Sequence, residues 1–351
     1  MKHLIIRNLG PIQEADIELK EINVIIGAQS SGKSCVLKTA CYCTWVEKRI
    51  ELTQTEVYFC KNNQFIKGLE DFHKLKGYIK PDTAICYESD FMKFSYDGLS
   101  GDFHFEWKKD RWQYKRSKVT YIPAERNLVA AIPNWFQVKF ADDNIRDFMA
   151  DWETARQSST ESVSILNLDV SYHFDANTKS DKVEVGNNVT LDFTNTSSGL
   201  QSLIPMFVHL NYLFQNIISK AESFADIQEK NEIQRILAEK NKSELYNNFC
   251  HTEHFDIFLE EPEANLFPPT QATLVEWLLD NISKKKQSSL FIATHSPYIL
   301  NSFIEKKNID TNLLYINNSG GKICIKKASA DVVQAIYDYG VDAFFNIETL
   351  G

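Results

Sequence analysis

The sequence predicts an α/β fold in which helices cover a sheet of mostly buried strands. Short, nearly continuous apolar runs occur at residues 22–27, 255–260 and 288–294, as expected for strands that are covered on both faces. Each of these runs ends in glycine or in polar residues. A segment without Gly or Pro at residues 34–52 contains many helix formers and predicts a helix between strands.

The N-terminal third is predicted to be rich in strands. Residues 3–19 (HLIIRNLGPIQEADIEL) are typical of two strands with a turn at Gly10-Pro11. Residues 62–79 form a second, more polar helical candidate. Residues 84–98 and 103–118 alternate in polarity like edge strands, with a turn near Lys109-Asp110.

The central part mixes helices with short strands. A strand at residues 118–122 is ended by Pro123, and a helix is expected from Phe140 to Arg156. Residues 170–193 have the Asn/Gly turns of short strands, and the highly charged residues 219–252 are expected to form an exposed helical excursion. Between them an amphipathic helix follows Ser197; its apolar face carries Leu200, Leu203, Ile204, Phe207 and Phe214, and Pro205 is expected to bend it.

Composition excludes several classes of protein. The 351 residues contain no apolar run of about 18 residues, the length of a membrane span, and the N-terminus is too polar for a signal peptide. We therefore expect a cytoplasmic protein without a membrane partner. The seven scattered cysteines lack zinc-site spacing, and a net charge of −9 argues against a globally basic nucleic-acid surface.

One motif predicts a phosphate-binding loop. Gly27–Ser34 (GAQSSGKS) fits G-x-x-x-x-G-K-[ST], and it lies after a predicted strand and before a predicted helix. Backbone N–H groups at such a helix start face an anion, the lysine contacts the β- and γ-phosphates, and the serine hydroxyl binds Mg²⁺. The alternative is an accidental Gly/Ser turn that caps a helix. The predicted ATP contacts are Gly27, Ala28, Gln29, Ser30, Ser31, Gly32, Lys33, Ser34 and Cys35, with Ser34 also a magnesium ligand.

Two acidic residues end a later strand and are candidates for the chemistry. Glu260 and Glu261 follow the apolar run 257–259, at the end of the strand where ligands bind in parallel sheets. We assign Glu260 to the magnesium shell, through water, and Glu261 to polarising the attacking water. The alternative for such a pair is a solvated turn.

Two further polar groups are predicted to belong to the same site. His295 follows the apolar run 288–294 and is expected to donate to the γ-phosphate or to the water; the alternative is an ordinary loop histidine. Ser197, Ser198 and Gly199 precede the amphipathic helix, so their hydroxyl and N–H groups lie at its positive end. By itself, that segment is only a helix cap.

These four features occur in an order that resembles the ATP-binding-cassette (ABC) class of P-loop heads. Within that class the chain is similar to the RecF/SMC-related branch, specifically to the OLD-type AAA ATPases. The likeness spans residue 1 to about residue 300 and rests on RNLGPIQEADIEL, INVIIGAQSSGKS, YIPAERN, SSGLQSLIP, LEEPEANLFP and ATHSPYIL.

The resemblance implies a single ABC-type head with a mixed central sheet, an antiparallel β subdomain and helical insertions. The head would consist of an N-terminal lobe at 1–139 with the phosphate loop and the β subdomain, and a helical/β insertion at 140–252 with the signature helix. A C-terminal lobe at 253–351 would contain the acidic strand and the His295 loop. It also implies that Ser197–Gly199 contact the ATP held by a second copy in a head-to-head dimer.

The chain departs from the family in several places. Asn265 stands where OLD relatives often have His, and no Gln-loop glutamine is identifiable. Arg126 lies in that neighbourhood and is expected either to face phosphate or to pair with Glu125. Only 56 residues follow His295, which is too few for the TOPRIM nuclease domain of OLD nucleases.

The function that the resemblance implies is an ATP-hydrolysing switch. It would form a homodimer or a higher homo-oligomer and control a separate effector, such as a TOPRIM or HNH nuclease or a toxin, in anti-phage defence or DNA maintenance. One alternative is a detached transporter-type ABC ATPase. Another is a scaffold that binds ATP without hydrolysing it.

Nucleic acid is a further candidate partner. Residues 108–118 (KKDRWQYKRSK) carry six basic residues and one acid around Trp112 and Tyr114, which would suit a DNA or RNA backbone. The alternative is the solvated face of a hairpin. Strand alternation would place the two aromatic rings on one packing face, and this favours the hairpin.

Overall fold

The computed structural model describes residues 2–132, 134–186, 189–215, 227–238, 251–306, 311–319 and 322–339. The strands are β1 Lys2–Leu9, β2 Ile12–Leu19, β3 Ile22–Ile26, β4 Ile79–Glu88, β5 Met92–Asp97, β6 Asp102–Trp107, β7 Ser117–Ile122, β8 Val163–Ser164, β9 Val170–Asp175, β10 Ser180–Val185, β11 Val189–Asp192, β12 His254–Glu260, β13 Ser289–Thr294, β14 Thr311–Ser319 and β15 Lys322–Lys327. The helices are α1 Lys33–Thr53, α2 Val57–Cys60, α3 Gln64–Phe72, α4 Leu128–Ala131, α5 Asn144–Ser158, α6 Ser198–Gln215, α7 Ile227–Ala238, α8 Pro268–Ile282, α9 Pro297–Glu305 and α10 Ala330–Tyr339.

A large mixed sheet organises the chain, so the predicted α/β fold is confirmed. Its eleven strands lie in the order β6-β5-β4-β1-β2-β15-β14-β3-β13-β12-β7. A separate antiparallel sheet has the order β11-β10-β9-β8. Strands β6, β5, β4, β1 and β2 pair antiparallel, and the predicted turn at Gly10-Pro11 joins β1 to β2.

A block of five parallel strands positions the candidate site. Strands β14, β3, β13, β12 and β7 each pair parallel with the next. Their register pairs Ile26 with Thr294 and Glu260 with Ala293. The residues that follow β3, β13, β12 and β7 therefore meet at one edge of the sheet, the edge of the carboxyl ends.

Two hydrophobic cores lie on opposite faces of the sheet. Val24 on β3 packs into the core with residues of α5, α6 and α8, whereas its neighbour Ile25 packs into the other core, with residues of α1. Successive side chains of a strand point to opposite faces. The continuous apolar run of β3 is explained by this burial on both faces.

Two strands of the large sheet were not predicted. Strands β14 and β15 follow residue 300, where the sequence interpretation contained no strand, and they are inserted between β2 and β3. Strand β14 pairs parallel with β3, and β15 pairs parallel with β2. The N-terminal and C-terminal segments of the chain thus share a single sheet.

The predicted strand at residues 103–118 is too long. Strand β6 ends at Trp107 and a short 3-10 helix occupies Arg111–Gln113. As a result, Trp112 and Tyr114 do not share a packing face: Trp112 is 52% exposed and Tyr114 only 4% exposed. The helical candidate at residues 62–79 is also shorter than predicted, because α3 covers only Gln64–Phe72 and β4 begins at Ile79.

The excursion predicted at residues 219–252 is not fully exposed. Its described central part is α7, and there Glu229 and Ile233 are buried. The Glu229 carboxylate forms ion pairs with Lys48 of α1 and with the buried Arg116. Residues 219–226 and 239–250 lie outside the described part. In the described ranges, no helix has the length and apolar character needed to cross a membrane.

Candidate active site

The phosphate loop has the tight backbone that its sequence predicts. Gly32, the residue before α1, has a φ of +101°, a left-handed conformation. A Cβ atom on Gly32 would lie 2.5 Å from Cδ1 of Ile12, and one on Gly27 would lie 3.0 Å from Cβ of Ile316. The left-handed φ favours glycine at position 32, and at both positions a side chain would crowd side chains of neighbouring segments.

Lys33 lies in this loop as a buried cation. Its Nζ donates hydrogen bonds to the carbonyl oxygens of Gly27, at 2.8 Å, and of Ala28, at 2.7 Å. Burial lowers the pKa of Lys33 to about 8, although Glu261 and Glu263 partly offset this. The ammonium is still largely protonated at pH 7, as a phosphate ligand must be.

His295 connects Lys33 to Glu261. The Lys33 Nζ lies 3.2 Å from His295 Nδ1, and His295 Nε2 lies 3.3 Å from Glu261 Oε1. An ammonium group only donates, so Nδ1 accepts and the ring proton is on Nε2, directed at the carboxylate. This hydrogen bond, above all, holds the pKa of Glu261 below its usual value. The structure thus brings together the three residues predicted to be catalytic.

The backbone of Glu261 is unusual for a side chain of this type. Its φ is +44°, in the left-handed region, and its N–H donates to the carbonyl oxygen of Ala293 at 2.8 Å. A non-glycine residue in this region costs on the order of 1 kcal/mol, and such residues cluster at functional sites. The turn directs the carboxylate away from the strand and towards His295.

The residues predicted for magnesium fit a hard cation held mainly by a nucleotide. Glu260 is buried at the end of β12 and accepts a hydrogen bond from the Tyr121 hydroxyl at 2.5 Å. Ser34 is half-buried in the first turn of α1. The described residues contain no group of three or more His, Cys, Asp or Glu side chains that could hold a metal. Mg²⁺ often needs only one or two protein oxygens beside phosphate and water, and a hydroxyl and a carboxylate are ligands of that kind.

Glu263 is a site residue that the sequence interpretation missed. Its Oε1 accepts from the backbone N–H of His295 at 2.6 Å, and its Oε2 accepts from the Thr294 hydroxyl at 2.8 Å. One carboxylate therefore ties the loop after β12 to the loop after β13. The sequence feature that could have indicated Glu263 is that it is a third acidic residue, two positions after Glu261 with Pro262 between them.

We expect Glu263→Ala to lower kcat for ATP hydrolysis by about 10- to 100-fold, because a loosened His295 is misplaced for its task. ATP affinity should change much less, since Glu263 does not hydrogen-bond to the phosphate loop itself. Glu263→Gln keeps one acceptor oxygen and should recover part of the rate. Steady-state kcat and KM of both variants test this; an unchanged kcat in Glu263→Ala would contradict the assigned role.

Arg126 does not hydrogen-bond to Glu125, one of its two predicted partners. It is buried, and its guanidinium donates to backbone carbonyl oxygens instead. Those carbonyls belong to Pro123, Ser202, Glu260, Glu261 and Pro262, at 2.9–3.3 Å. Burial lowers its pKa to about 10. Arg126 thus joins α6 to the loop after β12.

The start of α6 is held against that same loop. A Cβ on Gly199 would lie 3.0 Å from the Asn265 carbonyl oxygen, and the Asn265 amide donates to Ser202 Oγ at 2.8 Å. Ser197 accepts a hydrogen bond from the Leu200 N–H at 3.4 Å. Both Ser197 and Ser198 are exposed. The predicted signature segment is therefore a capped helix start whose serines face outward.

The basic segment 108–118 is largely neutralised by its own chain. Lys108 pairs with Glu88 at 2.6 Å, and Arg111 stacks on Trp107, its Cζ lying 3.4 Å from the ring centroid. Three further bases contact carboxylates: Lys115 pairs with Glu253, Arg116 with Glu229 and Lys118 with Asp151. These contacts favour a structural role over a nucleic-acid groove.

Sequence comparison gives one family match. Residues 136–300 match the family described as an AAA ATPase domain. The matched range contains Ser197–Gly199, Glu260, Glu261, Glu263 and His295, but it begins after the phosphate loop. A search among curated proteins gives no match.

Among solved structures, SMC head domains are similar to this chain. The SMC head domain from Thermotoga maritima has a TM-score of 0.45 and 11% identity, covering 93% of this chain and 98% of that chain. An Smc head domain with an extended coiled coil, bound to the C-terminal domain of ScpA derived from Pyrococcus furiosus, has a TM-score of 0.45 and 10% identity, covering 97% and 99%. A SmcHead bound to the C-winged helix domain of ScpA has a TM-score of 0.46 and 12% identity, covering 95% and 99%. Likenesses this distant do not assign a function.

Proposed function

We propose that this chain is an ATPase that acts as a molecular switch, with two copies closing around ATP. The observation that carries the proposal is the continuous contact from Lys33 through His295 to Glu261 at the carboxyl-end edge of the parallel strands. A phosphate ligand, a donor and a carboxylate lie within reach of one γ-phosphate there.

The chemistry assigned to the site is hydrolysis of ATP with Mg²⁺. The loop N–H groups and Lys33 would bind the phosphates; Ser34 directly and Glu260 through water would hold Mg²⁺, which would offset phosphate charge. Glu261, whose pKa is below its usual value, stays ionised near neutral pH and accepts a hydrogen bond from the attacking water. When ATP is bound, His295, whose backbone is held by Glu263, would turn its Nε2–H from Glu261 to the γ-phosphate.

Dimerisation is proposed from the start of α6. Its serines are exposed, and a helix N-terminus attracts anions. The resemblance to ABC-class heads places such a segment on the nucleotide of the opposite copy. ATP held by both copies would join them, and hydrolysis would release them.

We propose that this switch controls a separate effector protein. The resemblance to OLD-type ATPases suggests a nuclease or toxin partner, in anti-phage defence or DNA maintenance. The shift between ATP-bound dimers and separated copies would be the signal that this partner responds to.

The variant Ser197→Arg tests the contact between copies. We expect it to bind ATP normally but to lose most of its hydrolysis, because the added bulk and charge lie at the surface that meets the other copy's nucleotide. ATP affinity and turnover are measured together, with Ser100→Arg in the exposed turn between β5 and β6 as the control. Normal turnover in Ser197→Arg would contradict the contact between copies.

A further inference from the structure

Strand β6 is an edge of the eleven-stranded sheet. It pairs antiparallel with β5 on one side, and in the described part of the chain no strand pairs with its other side. The strand at the opposite edge, β7, has five of its six residues buried, whereas β6 has no buried residue. An edge strand with free backbone N–H and C=O groups can pair with a strand of another chain. The β6 edge is therefore a candidate interaction surface.

The pairing of β5 with β6 shows which backbone groups of β6 are directed outward. The Lys108 N–H donates to the Phe91 carbonyl oxygen at 2.9 Å, so these two opposite residues form a hydrogen-bonded pair. Such pairs alternate with non-hydrogen-bonded pairs along an antiparallel ladder, and β6 follows β5 without a shift of register. Counting back from Lys108, the outward-directed N–H and C=O groups belong to every second residue, namely Phe103, Phe105 and Trp107.

The Cys60 thiol of α2 contacts this edge at one end. Its Sγ lies 3.9 Å from the Phe103 carbonyl oxygen, and a thiol is only a weak donor. Cys60 is itself exposed, and a backbone N–H would be a stronger donor to the same oxygen. Strand β6 also contains neither proline nor lysine, two residues with which proteins block their sheet edges.

The backbone of β6 is complementary to itself in one antiparallel register. Outward-directed residues must meet outward-directed residues, and placing Phe105 opposite its own copy uses all three of them. In that register Phe103 lies opposite Trp107 of the second copy, and the two-fold symmetry repeats this contact. The three pairs would form about six backbone hydrogen bonds. A register shifted by two residues uses only two of the three.

The side chains on the exposed face of β6 are complementary in the same register. There His104 lies opposite Glu106 of the second copy, and Asp102 lies opposite its Lys108. Opposite charges directly across two strands are stabilising, whereas like charges are destabilising. Lys108 already pairs with Glu88 of its own chain at 2.6 Å, but an ammonium group has three N–H donors and can serve both carboxylates.

From this complementarity we propose that β6 docks onto β6 of a second copy, so that two sheets join edge to edge. The pairing would also shield the half-buried aromatic rings of the strand. This surface is separate from the proposed nucleotide contact, because β12, which carries Glu260, lies next to the opposite edge of the sheet.

The proposed interface is small. Two six-residue strands bury less than the about 1,200–2,000 Å² of stable complexes. We therefore expect half-association at about 100 µM of chain, and separate copies at a few micromolar when nucleotide is absent.

The test is sedimentation equilibrium of the full chain without nucleotide, at about 10 to 500 µM. The unaltered chain should form a reversible dimer. His104→Glu places like charges opposite each other twice, and it should raise the dissociation constant on the order of 10-fold. Adding Glu106→His to that variant exchanges the two residues and restores an opposite pair. The double variant should return to within about 3-fold of the unaltered constant.

Two controls keep the result specific. Asn177→Glu adds the same charge in the exposed turn between β9 and β10, and it should leave the dissociation constant unchanged. Ser197→Arg alters the proposed contact at the nucleotide and should also leave this constant unchanged. Because no nucleotide is present, the outcome does not depend on the proposed ATP site. His104 and Glu106 are exposed, so their variants should keep the fold, which thermal unfolding checks.

The contradicting results are distinct. A single-chain mass of the unaltered chain over the whole range would overturn the proposal. A dimer that His104→Glu does not weaken, or that the exchanged pair does not restore, would overturn it as well, since both effects depend on this register. A dimer lost in Ser197→Arg would instead assign the association to the start of α6.

Discussion

Lys33→Ala should weaken binding of Mg-ATP by on the order of 100-fold or more. The ammonium is the only side-chain cation that the structure places inside the described phosphate loop, where it already donates to the carbonyl oxygens of Gly27 and Ala28. Charge-assisted hydrogen bonds in a buried site are strong. The variant would lose the one that Lys33 donates to the β- and γ-phosphates. Fluorescent-nucleotide titration or calorimetry measures the effect.

The control for this variant is Lys67→Ala, which removes an exposed lysine of α3. It should bind ATP like the unaltered chain. Thermal unfolding of Lys33→Ala shows whether its fold is intact, since β3 and α1 are both largely buried. An ATP affinity near that of the unaltered chain in Lys33→Ala would refute the assignment of the phosphate loop.

Glu261→Gln should lower kcat for ATP hydrolysis by about 10²- to 10⁴-fold, the usual contribution of a general base. The amide keeps the size of the side chain and can still contact His295, but it no longer accepts a proton. ATP binding should persist, because Glu261 makes no hydrogen bond to the loop backbone in the described contacts. Phosphate release under single-turnover conditions measures the chemical step directly.

The same variant distinguishes a switch from a passive scaffold. A switch that cannot hydrolyse ATP accumulates in its ATP-bound form, whereas a scaffold behaves as before. Glu184→Gln, an exposed carboxylate of β10, is the matched control. Hydrolysis at the unaltered rate in Glu261→Gln would remove Glu261 from the chemistry.

The sequence predicted those parts of the site that depend on patterns of neighbouring residues. Lys33 follows a glycine motif, and Glu261 and His295 each follow an apolar run, so each residue is placed at a strand end by its own neighbours. Because carboxyl ends of parallel strands share an edge, three local predictions gave one site. The contacts between Lys33, His295 and Glu261 agree with this expectation.

The parts that were missed depend on contacts between distant segments. Arg126 meets the carbonyl groups of residues 76 to 136 positions away, in addition to that of nearby Pro123, and no local pattern indicates carbonyl partners. Glu263 looks like another acid in a polar turn until β13 lies beside it. Strand β14 ends in the polar run Asn317-Asn318-Ser319, which is not typical of a buried strand. Its position in the sheet depends on pairing with β3 and β15, which no local pattern indicates.

The mass of Glu261→Gln in solution tests the central claim most directly. Sedimentation velocity is run with Mg-ATP in excess, with Mg-ADP, and without nucleotide. A closed pair around two ATP molecules predicts a particle of twice the chain mass with ATP alone, and its loss when Ser197→Arg is added. A single-chain mass at saturating ATP, with nucleotide demonstrably bound, would contradict the account.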